Sequence, residues 1–206
     1  MRIHYFGHAC FLLEDNNFSV IIDPFCDIGY NLVAPKVDYC ICSHEHFDHN
    51  ARFAVDATNF PNENDYSTIS WLKVVNSFHD DAFGKLRGKN SIFVVECGGF
   101  SVCHLGDLGE PFNEEICKKI GKIDILLIPI GGKYTIDSKE ALKFIKCLNP
   151  KIVIPMHYKT ASSQIDIAKK DDFLANFTSI IKTTNDITIE KLPCDLTVYD
   201  IDDKEF

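Results

Sequence analysis

A dense cluster of histidines restricts the fold of this chain more than any other sequence feature. Three of the eight histidines and one aspartate lie in the six-residue segment HEHFDH at positions 44–49. This segment directly follows the apolar run 40–43, which is typical of a buried strand. Residues two apart on a strand point the same way, so His44 and His46 are expected to present their imidazoles side by side. The fold must therefore bring further ligands to this strand end.

The second half of the same segment points to a second metal position. As the chain turns after the strand, Asp48 and His49 can face a point a few ångströms from the first pair. Neutral imidazoles and a carboxylate suit Zn, Mn or Fe. No single ion easily uses all four groups at this spacing, so two ions are the natural interpretation. A solvated turn is the plainer alternative, but it does not explain so many histidines.

Three more candidate ligands stand at the apparent ends of strands. His79, Asp107 and His157 each come at or just after a run rich in β-branched and apolar residues. With them, the candidate set has seven members, which is enough for two ions. These are His44, His46, Asp48, His49, His79, Asp107 and His157.

Short β-type runs dominate the first half of the chain. They cover residues 2–6, 10–14, 18–22, 37–42, 72–75, 91–97 and 100–104. Turn-forming residues at 15–17 and 98–99 each separate two of these runs and predict hairpins, so part of the sheet is expected to be antiparallel. The irregular segment 52–70 is predicted to be a surface loop beside the metal site.

The second half alternates predicted helices with apolar strands. Helices are predicted at 114–120, after Asp137 and at about 171–177. Strands are predicted at 124–130, 151–154 and 187–201, the last interrupted by Pro193. Asp137 and Glu140 form a capping-box pattern at the start of the second helix. These patterns favour two sheets covered by helices, in a single domain of residues 1–206.

Composition excludes several functional classes. The chain has 206 residues, 46% of them hydrophobic, and its net charge is −9 with no basic run. Nucleic acid and membrane surfaces are therefore poor partners, and no stretch approaches the ~20 apolar residues of a membrane span. The start has no uninterrupted apolar region of a secretory signal. The nine cysteines are odd in number and mostly lie in apolar runs, which predicts reduced thiols and a cytoplasmic location.

Taken together, the motifs resemble the metallo-β-lactamase-fold superfamily of metal-dependent hydrolases. They are Gly7-His8, Ile22-Asp23-Pro24, the 44–49 segment, Phe78-His79-Asp80, His104-Leu105-Gly106-Asp107, Ile130-Gly131-Gly132 and Ile154-Pro155-Met156-His157-Tyr158. Their order and rough spacing follow the family over nearly the whole chain. The most similar branch contains ascorbate-phosphate lactonases and their small bacterial relatives. The fold implied is an α/β protein, a four-layer αββα sandwich.

The resemblance also implies how the ligands divide between two ions. His44, His46 and His79 would hold one ion, Asp48, His49 and His157 the other, and Asp107 would bridge them. Asp23 would orient a metal-bound imidazole, although a turn initiator before Pro24 is the plainer interpretation. The branch often has a histidine where this chain has Glu110, which puts a proton-transfer role there in doubt.

The implied function is a dinuclear metal-dependent hydrolase that uses a metal-bound hydroxide on a small ester, lactone or phosphoester. Metal coordination lowers the pKa of water to about 7, and Asp48 is the candidate to orient this water and accept its proton. The candidate proton donors or substrate-contacting residues are Tyr134, Lys133, His8 and Glu110. His104 is expected to help hold the site without ligating, or to be an ordinary strand residue.

Two other functions stay open. A di-iron oxidoreductase on the same fold would have glutamate at the position of His46 and would need a flavin domain. A metal-stabilised binding protein without turnover is disfavoured by the complete ligand set. Zn is the expected metal, with Mn and Fe as alternatives. The expected partner is a small molecule. This molecule can be an anion, because the positive charge of two divalent ions exceeds the negative charge of the two aspartates that would bind them. A homo-oligomer is the base-rate expectation.

Overall fold

Two β-sheets packed face to face form the centre of the protein. The computed structural model describes residues 1–202. The six-stranded sheet contains β1 (Arg2–Gly7), β2 (Cys10–Glu14), β3 (Ser19–Ile22), β4 (Val37–Ile41), β5 (Ala57–Asn59) and β12 (Asp186–Thr188). Its strand order is β12-β1-β2-β3-β4-β5.

The second sheet has seven strands and carries the helices. It contains β6 (Leu72–Phe78), β7 (Lys89–Cys97), β8 (Phe100–His104), β9 (Ile125–Pro129), β10 (Ile152–Met156), β11 (Ile180–Thr183) and β13 (Thr197–Ile201), in the order β11-β13-β10-β9-β8-β7-β6. The helices are α1 (Glu114–Ile120), α2 (Ser138–Leu148) and α3 (Asp171–Leu174). Within residues 1–202, none of the helices has the length and apolar character that crossing a membrane requires.

The alternation of side chains along each strand places the core on both faces of the sheets. In β2, Phe11 and Leu13 belong to the core between the sheets, whereas Cys10 and Leu12 belong to a cluster on the outer face. In β9, Leu127 faces the other sheet and Leu126 packs in the layer with the helices. Because both faces are buried, these strands have continuous apolar sequences.

The predicted layers are present, with a difference in the outermost one. Helices cover the outer face of the seven-stranded sheet, but the irregular segment 24–36 covers the outer face of the six-stranded sheet. Phe25 and Ile28 of this segment are buried against that face. Asp27 and Gly29, at φ +56° and +98°, lie outside the helical region of backbone conformation, so this layer is built from loop.

Most predicted elements are confirmed, including both hairpins. Asp15 stabilises the first turn by accepting hydrogen bonds from the backbone N–H groups of Asn17 and Phe18. The side chain of Asp137 caps α2 by accepting from the N–H of Glu140. The reciprocal half of the predicted capping box is wrong, because the Glu140 carboxylate instead accepts from the N–H of Phe112, 2.7 Å away.

Three predictions from the weaker patterns are wrong in detail. The stretch 187–201 is two strands in different sheets, because the chain around Pro193 crosses from β12 to β13. Helix α3 stops at Leu174, short of the predicted residue 177. The segment 52–70 contains the short edge strand β5 and two 3-10 turns, and β11 lies where no strand was predicted. Both missed strands are short and largely exposed, so they lack an apolar pattern.

Candidate metal centre

Strand direction brings the first set of candidate residues to one edge of the sandwich. In the six-stranded sheet, β2 is antiparallel to both β1 and β3, and β3 is parallel to β4. The carboxyl ends of β1, β3 and β4 therefore lie at the same edge. The turns that follow these three strands carry His8, Asp23 and the segment 44–49, respectively.

The seven-stranded sheet supplies the second set in the same way. Strands β6 and β8 are both antiparallel to β7, and β8, β9 and β10 are mutually parallel. Their carboxyl ends therefore carry His79, Asp107 and His157 at one edge. The two edges meet, since carboxylate Oδ2 of Asp107 lies 3.1 Å from Nε2 of His49. The metal centre thus joins the two sheets.

Asp107 lies at the middle of this cluster. Besides the contact with His49, its Oδ2 is 3.3 Å from Nε2 of His79 and 3.2 Å from Nε2 of His157. The side chain is fully buried, which by itself raises the carboxyl pKa, but the neighbouring His157 and His49 hold it well below the usual value. One carboxylate oxygen thus faces imidazoles from three separate turns.

A glycine makes this close approach of the turns feasible. Gly109 packs directly on the backbone of His79, and a Cβ built at this position would lie 2.5 Å from the carbonyl carbon and oxygen of His79. Only a residue without a side chain fits this contact. The turn after β8 and the turn after β6 are therefore held together, with Asp107 beside His79.

His44, His46 and His79 form one group of potential ligands. One ligand atom from each lies within 4.8 Å of the other two. The hydroxyl of Ser43 is 2.9 Å from Nδ1 of His44, which leaves Nε2 of His44 facing the group. Burial lowers the pKa of His44 to about 3 and also lowers that of His79, so both rings are neutral at pH 7 and able to ligate.

His49 and His157 form the second group, with both His8 and Asp48 beside them. The group whose ligand atoms lie within 4.8 Å of one another is His8, His49 and His157. Nε2 of His8 is 3.0 Å from Nε2 of His49 and 3.4 Å from Oδ2 of Asp48, whereas Asp48 is 3.9 Å from His49. The structure therefore places His8 closer to this group than the resemblance implied, and Asp48 slightly farther out.

Asp23 is a buried carboxylate behind both groups. Its Oδ1 accepts from the N–H of Ser43 at 2.6 Å, and its Oδ2 accepts from the hydroxyl of Ser43 at 2.7 Å. Oδ2 is also 3.0 Å from Nδ1 of His49. Although burial would lower the pKa of His49, the flanking Asp107 and Asp23 raise it well above its usual value in the metal-free chain.

Three residues of the cluster have an unusual backbone conformation. His8, Asp23 and His157 have φ values of +56°, +53° and +51°. This left-handed region costs a non-glycine residue on the order of 1 kcal/mol or more, and such residues concentrate at functional sites. The strain therefore supports a functional interpretation of these three turns.

The donor set fits divalent cations. In the part of the chain that the structure describes, Nε2 of His44 and Oδ1 of Asp107 are buried without a hydrogen-bond partner. Buried polar atoms without partners are rare in folded proteins, and cations satisfy both nitrogen and oxygen acceptors. Imidazole nitrogens with carboxylate oxygens are the ligands that Zn, Mn and Fe accept.

His104 belongs to the scaffold of this centre. Its Nε2 lies 2.8 Å from the carbonyl oxygen of Ala9, and its Nδ1 accepts from the N–H of Gly106 at 3.0 Å. Both ring nitrogens are thereby engaged, and the side chain is fully buried. The expectation that His104 holds the site without ligating agrees with this geometry.

Comparison with known proteins identifies the family. Residues 2–157 match the family described as the beta-lactamase superfamily domain. The chain belongs to this superfamily. The crystal structure of a Thermotoga maritima protein, described as a candidate Zn-dependent hydrolase of the metallo-β-lactamase superfamily, is similar to this chain, with 34% identity, a TM-score of 0.78 and 97% coverage of both chains.

Relatives of this chain found by sequence comparison agree with its assignment to the superfamily. A UPF0173 protein of Pyrococcus furiosus is 31% identical, over 79% of this chain and 85% of the relative. A UPF0173 metal-dependent hydrolase of Carboxydothermus hydrogenoformans is 30% identical, over 78% and 85%. The enzyme class predicted from the sequence, a metal-dependent hydrolase, is confirmed by these relatives, and so is the metallo-β-lactamase fold.

A cavity of about 740 Å³ opens on the metal centre of this metallo-β-lactamase-fold protein. Its size is typical of a site for a small molecule. The ligand candidates in its wall are His46, Asp48, His79, Asp107 and His157. The remaining wall is formed by Glu45, Phe47, Arg87, Tyr134, Gln164, Ile165 and Asp166.

The candidate substrate-contacting and proton-donor residues differ in position. Tyr134 lines the cavity. Lys133 is not part of the wall; its ammonium is 2.9 Å from the carboxylate of Asp166, and this ion pair raises the pKa of Lys133. Glu110 lies on the turn after Asp107 but is not in the wall of this cavity. The structure therefore does not bring Glu110 to the candidate substrate space.

A smaller cavity of about 280 Å³ lies on the other side of His44 and His46. The segment 52–70 contributes Arg52, Glu63 and Tyr66 to its wall. The predicted position of this segment beside the site is therefore confirmed, although its structure is more regular than predicted.

Sequence reasoning missed several residues around the centre. Ser43, Arg87 and Gln164 were not singled out, yet Ser43 contacts Asp23 and His44, and the other two line the large cavity. The position of Ser43 directly before the histidine motif was a usable signal. No sequence pattern indicated Arg87 or Gln164, because their positions depend on how loops that are distant in the sequence meet.

Proposed function

We propose that this metal-dependent hydrolase is dinuclear and cleaves a small ester, lactone or phosphoester. The observation that carries the proposal is the position of Asp107, whose Oδ2 is within 3.3 Å of Nε2 of His79 on one side and of His49 and His157 on the other. A carboxylate shared by two groups of imidazoles is the arrangement that a bridging ligand requires. A single ion would leave one group without a metal.

The two groups define the proposed ligands. His44, His46 and His79 would hold one ion, His49 and His157 with Asp48 the other, and Asp107 both. His8 lies beside the second group, within 3.0 Å of His49. Zn is the proposed metal because nitrogen and carboxylate ligands suit it, and Mn and Fe are the alternatives that direct analysis distinguishes.

Two divalent cations, when bound, lower the pKa of water toward neutrality and polarise a carbonyl or phosphoryl oxygen. The chain's own residues prepare this chemistry. Asp48 reaches the cavity with 17% of its side chain exposed, and contact with His8 lowers its pKa despite burial, so it is an ionised acceptor for a proton from water. Asp23 and Ser43 fix the rings of His49 and His44.

The proton donor to the leaving group is proposed to be Tyr134; His8 is less suitable, because burial lowers its pKa to about 4 and leaves its ring neutral near pH 7. Tyr134 lines the cavity, and His8 contacts the carboxylate of Asp48. Lys133 is a poorer candidate, since its ammonium is already paired with Asp166 and its pKa is raised. Glu110 is outside the wall of the cavity.

The proposal is tested by metal content together with hydrolysis. We expect protein purified without added metal or chelator to contain about two Zn or Mn per chain. It should hydrolyse at least one member of a panel of lactones, carboxylic esters, phosphoesters and thioesters. His46→Ala should lose one ion and this activity. His4→Ala is the matched control, since His4 lies on β1 near Asp186, away from the cluster.

Each contrary result has a defined meaning. Absence of metal from the wild-type protein contradicts a dinuclear site. Two Fe per chain without hydrolysis of any panel member favours redox chemistry on the same fold. Full activity in His46→Ala, with two ions retained, contradicts the proposed ligand set.

The state of the thiols supports a reducing compartment. All nine cysteines are free, and six of them are buried. A chain with this many unpaired thiols is typical of the cytoplasm, which is where we propose that it acts.

A further inference from the structure

Arg87 places a positive charge in the wall of the large cavity. It lines this cavity together with the ligand candidates His46 and His79, and it also lines the smaller cavity behind them. Its side chain is half-buried. It is the sole arginine or lysine among the described residues that form the wall of the large cavity.

The guanidinium has no anionic partner within residues 1–202. No carboxylate forms an ion pair with it, although Glu45 and Asp166 line the same cavity. Asp166 is paired with Lys133, and Glu45 accepts a hydrogen bond from the side-chain amide of Asn50. The charge of Arg87 is therefore available to a ligand.

The position of Arg87 is fixed by hydrogen bonds to the residue that directly follows the candidate ligand His79. Asp80, directly after His79, is buried and accepts the backbone N–H of Arg87 at 2.7 Å. The same carboxylate accepts the N–H groups of three other residues of this loop, namely Ala82, Gly84 and Leu86. In addition, the carbonyl of Gly88 accepts the N–H of His79 at 3.1 Å. The loop 80–88 is thus closed on the ligand strand, and Arg87 is held at a set place relative to His79.

An aromatic ring orients the guanidinium. Cζ of Arg87 is 5.4 Å from the centre of the ring of Tyr134, within the range of a cation–π contact. Tyr134 comes from the loop after β9, so two separate loops place the cation. A guanidinium stacked on a ring keeps its N–H groups free at its edge, where they can bind both oxygens of an oxyanion.

We propose that Arg87 binds an anionic group of the substrate, a carboxylate or a phosphate, at a distance from the bond that is hydrolysed. This inference rests on the proposed function, in which the large cavity receives the substrate. Phe47 and Ile165 supply apolar surface in the same wall. The substrate class is then a small ester or lactone that combines an apolar body with a separate anionic substituent.

The first test compares matched esters. The mono-nitrophenyl ester of glutaric acid has a free carboxylate, its methyl-capped analogue has none, and a phosphate-bearing nitrophenyl ester distinguishes the two anions. We expect the wild-type kcat/KM for the preferred anionic ester to exceed the kcat/KM for the capped ester by about 10-fold or more. Arg87→Gln should remove this preference while keeping the metal content, and the readout is the ratio of the two kcat/KM values within each protein. Arg87→Lys should restore only part of it.

Lys85→Gln is the matched control. It removes the same charge from the same loop, but Lys85 is exposed and does not line either cavity. We expect it to keep the wild-type preference. Retention of the preference in Arg87→Gln, or its equal loss in Lys85→Gln, overturns the proposal.

A binding measurement separates this proposal from the proposed function. Hexanesulfonate is an anion that metal ions bind weakly, and hexanesulfonamide is its neutral counterpart. In calorimetric titrations of the metal-loaded protein, Arg87→Gln should lower the affinity for the sulfonate at least about 10-fold and leave the affinity for the sulfonamide unchanged. If no member of the lactone, carboxylic ester, phosphoester and thioester panel is hydrolysed, the proposed function fails, and this titration still decides the role of Arg87. Equal sulfonate affinity in wild type and Arg87→Gln overturns it.

Discussion

Asp23 and His49, 26 residues apart in the sequence, are joined by a buried contact of 3.0 Å between Oδ2 and Nδ1. With Nδ1 protonated, His49 donates to Asp23, and its Nε2, which lies 3.1 Å from Oδ2 of Asp107, would be left to bind a metal ion through its lone pair. The carboxylate therefore selects the tautomer that a metal ligand needs. It also accepts two hydrogen bonds from Ser43, which fixes its own orientation.

We expect Asp23→Asn to weaken Zn binding about 10- to 100-fold, since the amide no longer holds His49 in this tautomer. Asparagine is chosen because it tolerates the φ of +53° at this position better than alanine does. Competition with a chromophoric chelator measures the affinity, and circular dichroism of the metal-free variant checks the fold. Unchanged affinity in a folded variant contradicts the orienting role.

Asp107→Asn should have a larger effect on the metal centre. A neutral amide oxygen cannot replace a carboxylate that three imidazoles approach within 3.3 Å, so we expect fewer than two ions per chain and loss of hydrolysis. Asp166→Asn is the matched control, because Asp166 lines the same cavity but pairs with Lys133. Two retained ions in Asp107→Asn, by elemental analysis, would show that it does not bridge.

His104→Gln should separate stability from metal binding. The imidazole bonds to the carbonyl of Ala9 and the N–H of Gly106, so its removal should lower the free energy of unfolding by about 1–3 kcal/mol. The number of bound ions should stay the same. Urea unfolding and elemental analysis test the two halves of this prediction, and a loss of one ion would make His104 a ligand.

The stability of the metal-free chain should fall as the solution becomes acidic. Burial and the neighbouring His157 lower the pKa of His8 to about 4, from 6.5 for an ordinary histidine. The unfolded chain therefore binds a proton at His8 in a pH range where the folded chain does not. As far as His8 is concerned, the free energy of unfolding is at its full value above pH 6.5 and decreases as the pH falls toward about 4.

The comparison with His8→Gln isolates this effect. Between pH 6.5 and about 4, wild type should lose up to about 3 kcal/mol more unfolding free energy than the variant. His49, whose pKa is raised by Asp107 and Asp23 against its burial, contributes with the opposite sign but is present in both chains. Urea titrations of metal-free protein at three pH values measure the difference. Parallel pH profiles would mean that His8 is protonated in the folded chain as well.

Most of the candidate metal site could be predicted from the sequence, because most of its candidate ligands follow apolar strands. A strand buried on both faces is recognisable as an unbroken apolar run, and the polar residue at its end then stands out, as His157 does after β10. Direction is harder to obtain from sequence, but the hairpins at 15–17 and 98–99 constrained it. These patterns predict that the ligand candidates lie at the ends of strands.

Contacts between loops were beyond such patterns. His8 approaches His49 because the turn after β1 meets the turn after β4, and Arg87 enters the cavity because Asp80 folds its loop back. Neither contact leaves a periodic signal. The same holds for the outer layer of the six-stranded sheet, where Phe25 and Ile28 pack without regular structure. Exposed edge strands such as β11 also lack the apolar alternation that reveals a strand.

The pairing of β1 with β12 has a consequence for how the protein is made. Arg2 lies opposite Thr188 and forms an ion pair with Asp186, and on its other side it forms an ion pair with Glu14 of β2. One edge of β1 is therefore covered by β12, whose residues are synthesised more than 180 positions later. During translation, β1 can pair with β2 at once but presents an open edge until residue 188 emerges from the ribosome. A ribosome-bound intermediate would therefore expose a strand edge that a chaperone can bind.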